Sequence, residues 1–125
     1  MANDFLKNGG FPTLAFNDGA SLTCFANDFG YDRVFAHPLG IHAVDGDCLI
    51  AISSSGRSPN ILAAVTQSCH RHFPSVVTFT GFDEDNPLRW LGAKNYHVPS
   101  SDYGVVESAH LAMLHATLRE LRDAR

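Results

Sequence analysis

The chain has 125 residues, of which 45% are hydrophobic and 18% charged, with a net charge of −4. That suffices for one domain with its own core, is too little for two, and excludes a disordered tail. Lysine and arginine are scattered and no apolar run nears the roughly 20 residues of a membrane span, which argues against direct nucleic-acid binding and against a transmembrane helix. The opening MANDFLKNGG has no signal-peptide apolar region, and Cys24, Cys48 and Cys69 lack CxxC spacing. These features predict a cytoplasmic protein whose cysteines are small buried hydrophobes.

Ala2–Lys7, followed by Asn8-Gly9-Gly10, reads as the last turns of a helix with a glycine C-cap. Pro12–Phe16 (PTLAF) reads as a short buried strand, and Ser21–Phe29 as a helix. A helix over Asp32–Ala43 leads to a second strand, Cys48–Ile52 (CLIAI). Pro59–His72 carries Ile61, Leu62, Val65 and Cys69 at helical spacing. Ser75–Thr80 (SVVTFT) is a third strand, Asn86–Leu91 a helical turn with Pro87 at its start, and Tyr96–Val98 a fourth strand. Val105–Asp123 closes the chain as a long amphipathic helix that Ser100-Ser101-Asp102 can cap. CLIAI and SVVTFT are apolar nearly throughout, as strands covered on both faces are. The alternation predicts an α/β fold with a parallel sheet.

Between CLIAI and the next helix stands SSSGRS, Ser53–Ser58. In a parallel α/β sheet, ligands bind beyond the C-terminal ends of the strands. A helix N-terminus there presents free N–H groups and a positive dipole end, which suit an anion. Ser53, Ser55 and Ser58 add hydroxyls that rotate to meet phosphate oxygens. Gly56 permits close approach or a positive φ, Ser58-Pro59 starts the helix, and Arg57 either adds charge or points to solvent. Neither GxGxxG nor GxxxxGK[ST] occurs, so a dinucleotide or P-loop site is unsupported.

ISSSGRSPNILAAV resembles the phosphate loop of sugar-isomerase (SIS) domains, and within them that of bacterial phosphoheptose isomerases. CFANDFGYDRVF, VDGDCLIAIS, VVTFTGFD and VPSSDYGVVESAHLAMLH are similar to further segments of that family. The resemblance implies a single partial SIS domain over 1–125, a three-layer sandwich with a parallel flavodoxin-like sheet. It implies that the family's N-terminal helix, first strand and first glycine-rich loop are not in this sequence. It also implies aldose–ketose isomerisation of sedoheptulose 7-phosphate through an enediol, in a homotetramer with sites at subunit interfaces.

On that resemblance Ser53, Ser54, Ser55 and Ser58 hold the substrate, with Asp28 and Glu107 on its hydroxyls. His115 and Asp4, which stands where the family has glutamate, move the proton. An imidazole titrating near neutrality suits that transfer. In zinc-binding members the positions of Glu107 and His115 hold the metal; Glu107 replaces the usual glutamine. The two lie eight residues apart, about 12 Å along a continuous helix. His110 reads as structural, Cys69-His70-Arg71-His72 as a cationic helix end, and Phe82, Trp90 and Leu91 as packing. The altered Asp4 and Glu107 leave a second reading open, a non-catalytic SIS module that binds a phosphosugar or a partner protein, as relatives that bind a replication initiator do.

Overall fold

The computed structural model describes residues 1–69 and 75–125. Three parallel strands, β1 (Cys48–Ser53), β2 (Ser75–Gly81) and β3 (Lys94–Val98), form one sheet in the order β1-β2-β3. Five helices accompany them: α1 (Ala2–Gly9), α2 (Gly19–Phe29), α3 (Ala36–His42), α4 (Pro59–Cys69) and α5 (Tyr103–Asp123). Two 3₁₀ turns, Tyr31–Arg33 and Pro87–Trp90, complete the set.

One sheet face is sealed by α4 and the Pro87–Trp90 turn. Ala51, Val65, Val76 and Leu88 form its core, with Leu49, Ile61 and Leu62 packed around them. The fully buried Val65 and Leu88 each contribute about 1.5–3 kcal/mol. The opposite face takes α5, whose buried residues Val106, His110, Leu114 and Leu118 recur every fourth position as one stripe. Asp102 caps that helix by accepting from the Val105 N–H at 3.0 Å. The result is the expected three-layer α/β sandwich.

α1 closes on Gly10, at φ +67°, with hydrogen bonds from Gly10 N–H to the Leu6 carbonyl (3.1 Å) and from Phe11 N–H to the Phe5 carbonyl (3.0 Å). Gly9 then lets α1 touch α5: a Cβ there would stand 2.6 Å from Leu118. Arg125 fastens the contact, donating to the Gly9 carbonyl at 3.0 Å.

Several expectations need correction. PTLAF is not a strand; it lies in an irregular connection between α1 and α2, with Leu14 exposed. Pro12 offers no N–H, and no neighbouring strand pairs with the segment. The Asp32–Ala43 helix is broken into the Tyr31–Arg33 turn and α3. Only β2 is covered on both faces. β1 alternates, with Ile50 and Ile52 exposed, because α5 packs over β2 and β3. Cys24 and Cys48 are exposed free thiols rather than buried ones. Trp90 is 70% exposed and Leu91 40%, so neither is core packing. His70–His72, in the histidine-rich segment, lie outside the described residues.

Candidate functional site

β1 ends on Ser53, and the chain turns through Ser54–Arg57 into α4. The turn is held by its own side chains. Ser53 Oγ, in a buried residue, accepts from the Gly56 N–H at 3.1 Å and lies 3.0 Å from Ser58 Oγ. Ser55 Oγ accepts from the Arg57 N–H at 3.3 Å. Ser58 stands at the N-cap position of α4, its carbonyl accepting from Ile61 and Leu62. The hydroxyls of Ser53, Ser55 and Ser58 thus gather around the first turn of α4, beyond the C-terminal end of the strand. Such a turn can receive an anion through neutral donors and the helix N-terminus.

The turn is braced from the side. Gly56 has φ +62°, and the Asn86 side chain fills the space a Cβ would take. Asn86 is fully buried; its amide donates to the Asp83 carbonyl (2.7 Å) and accepts from the Arg89 N–H (3.0 Å). The Gly56 carbonyl accepts from Leu88 N–H, and the Ser54 carbonyl from Gly81 N–H at 2.9 Å. Arg57 points outward to Asp83 at 3.7 Å, an exposed pair that contributes little. Asn86 was foreshadowed only by its place before Pro87, a helix-starting signal; nothing in the sequence ties it to Gly56.

A polar row runs under this end of the sheet. Ser53 pairs in register with Thr80, and Thr80 with His97. His97 Nδ1 lies 3.1 Å from Thr80 Oγ1, while its Nε2 is buried with no partner among the described residues. Burial, then the nearby Arg89 charge, pushes the His97 imidazole below its ordinary range; Glu84 opposes this. On the other face buried His110 donates from Nε2 to the Thr80 carbonyl at 3.0 Å and meets Phe79 edge-on. That is a structural placement.

The remaining candidates are dispersed. Asp28, exposed at the end of α2, accepts from the Asn27 side chain at 2.8 Å. Asp4, in the first turn of α1, pairs with the Met1 amino terminus at 3.3 Å. Glu107 is exposed near the start of α5. His115, two turns on, lines a cavity of about 370 Å³ with Asn8, Leu118, Arg119 and Arg122. So α1 and His115 are brought side by side, but away from the serine turn. Glu107 and His115, the positions implied for zinc, are about 12 Å apart along an unbroken helix. Among the described residues no three His, Cys, Asp or Glu side chains converge on a metal position.

A parallel three-layer sandwich with a serine turn feeding a helix N-terminus is the arrangement that the sequence resemblance to SIS domains predicts. No protein-family model matches the chain. Among individual proteins, it is 34% identical over 108 residues to a phosphoheptose isomerase of Colwellia psychrerythraea, covering 84% of this chain and 55% of that one. A phosphoheptose isomerase of Yersinia pestis is 30% identical over 113 residues, covering 88% and 56%. The solved phosphoheptose isomerase of Neisseria gonorrhoeae superposes with a TM-score of 0.85 at 28% identity, over 96% of this chain and 68% of that one. That of Francisella tularensis gives 0.82 at 25%, over 90% and 60%. The chain is a relative of the phosphoheptose isomerases in both sequence and fold, and it spans about half the length of the curated relatives it matches.

Proposed function

We propose that the chain is the phosphate-binding part of a phosphosugar isomerase acting on sedoheptulose 7-phosphate. The observation that carries this reading is the serine turn, three hydroxyls at the first turn of α4 with the backbone pinned by Asn86. Ser53, Ser55 and Ser58 hold the phosphate, Ser54 lines the substrate site, and Asp28 and Glu107 orient sugar hydroxyls. His115, assisted by Asp4, takes a proton from one of the C1–C2 pair and returns it to the other, while a second proton passes between O1 and O2. The electron pair passes through the enediol, so aldose and ketose interconvert with no net gain or loss of atoms. His115 contributes the ordinary range of a general base, about 10²–10⁴ in rate.

As the family resemblance implies, the active form is a homotetramer with sites at subunit interfaces, in which one copy's His115 serves another copy's turn. Exposed Leu111 and Leu121 on α5 and Ile50 and Ile52 on β1 supply apolar surface for it. The cytoplasm is the proposed location: the described thiols are free, and no described helix is long and apolar enough to cross a membrane.

The test is a titration of the purified chain with sedoheptulose 7-phosphate, following heat and product together. Turnover that disappears in His115→Ala supports the isomerase. Binding without product reduces the reading to a phosphosugar-binding module, and absence of binding removes it.

A further inference from the structure

We propose that Phe82 and Tyr103 form an aromatic wall beside the serine turn that packs against the carbon chain of a bound sugar phosphate. The wall separates that ligand from free phosphate. This rests on the phosphosugar reading above and adds residues to it.

Among the described residues, Phe82 is the one non-glycine residue with positive φ, at 57°. A bulky side chain disfavours that backbone, and such strain collects at ligand sites. Two hydrogen bonds impose it: Gly81 N–H to the Ser54 carbonyl and Phe82 N–H to the Ser100 carbonyl, both 2.9 Å. Residue 82 is therefore tied on one side to the serine turn and on the other to the loop that starts α5. Gly81 makes the close approach possible, since a Cβ there would stand 2.7 Å from Val106 and 3.1 Å from the Ser54 carbonyl.

The strain is not spent on filling the core. Phe82 is half-buried, and its partner Tyr103 is 59% exposed. The rings meet edge to face, centroids 4.7 Å apart at 73°. An aromatic pair left open at the rim of a polar anion turn has the composition of a ligand site, an apolar surface next to a few placed polar groups. A phosphate seated on the serines leaves its organic substituent to run along this rim. The C–H faces of a polyol chain suit an aromatic surface, while its hydroxyls keep other partners. Inorganic phosphate has nothing to offer the wall.

The experiment measures the affinity of the full chain for sedoheptulose 7-phosphate and for inorganic phosphate in the wild type, Phe82→Gly and Tyr103→Ala. Glycine adopts this φ without strain, so Phe82→Gly keeps the fold, and an undiminished thermal midpoint verifies it. The expected result is about tenfold weaker sugar-phosphate binding in both variants with inorganic phosphate unchanged. Equal losses for both ligands, or no loss for either, overturn the wall. A wild type that binds neither overturns the phosphosugar reading, and the wall with it.

Discussion

Gly56 and Asn86 depend on each other across thirty residues of sequence. Glycine takes φ +62° at no cost, and the buried amide of Asn86 occupies the vacated volume. Gly56→Ala adds backbone strain and displaces an amide whose hydrogen bonds are then lost in the interior. The expected loss is about 2–4 kcal/mol. It would be read as a lower urea midpoint at an unchanged slope. His97 makes a prediction along pH. Its imidazole is pushed down, first by burial and then by Arg89, so the folded state favours the neutral ring. Between the lowered and the ordinary value the unfolded chain binds more protons. The contribution is therefore complete above about pH 6.5 and lost as pH falls below it. Urea midpoints across that range would show the wild type weakening more steeply toward acid than His97→Gln; parallel curves would remove His97 as the cause.

At the scale of elements, what could be read from the sequence was what is local. The serine turn is contiguous, so its strand, hydroxyls, glycine and helix start stand side by side in ISSSGRSPN. Its brace was not legible, because Asn86 reaches Gly56 only through the packing of the Pro87–Trp90 turn. Nor was the αL backbone of Phe82, imposed by Ser54 and Ser100 from other loops. PTLAF has the composition of a strand, but pairing needs a partner and PTLAF finds none. α5 was legible at both its stripe and its start, and its cap is testable. Asp102→Ala leaves the Val105 N–H without its acceptor and should cost about 1 kcal/mol, measured as a drop in thermal midpoint. Asp102→Asn, which keeps the acceptor, should retain most of that stability.

For the whole molecule, the decisive fact is the distance between the two halves of the proposed chemistry. Val106 packs against Gly81 beside the serine turn, while His115 comes nine residues later on the same helix, about 13 Å further on. His115 opens instead into the cavity beside Asn8 of α1. The continuous 21-residue α5 fixes that separation within one copy. In the proposed oligomer, each reacting centre combines one copy's turn with another copy's His115. The consequence is complementation. His115→Ala and Ser55→Ala, each expected to be nearly inactive alone, should regain activity when unfolded together and refolded as a mixture. Random assembly places both intact halves in about a quarter of the sites. Recovery near that fraction, set against none when the separately refolded proteins are merely combined, would establish shared sites. Mixtures that stay as inactive as their components would show that the serine turn and His115 do not meet across copies, and the reacting centre would then lie within one copy.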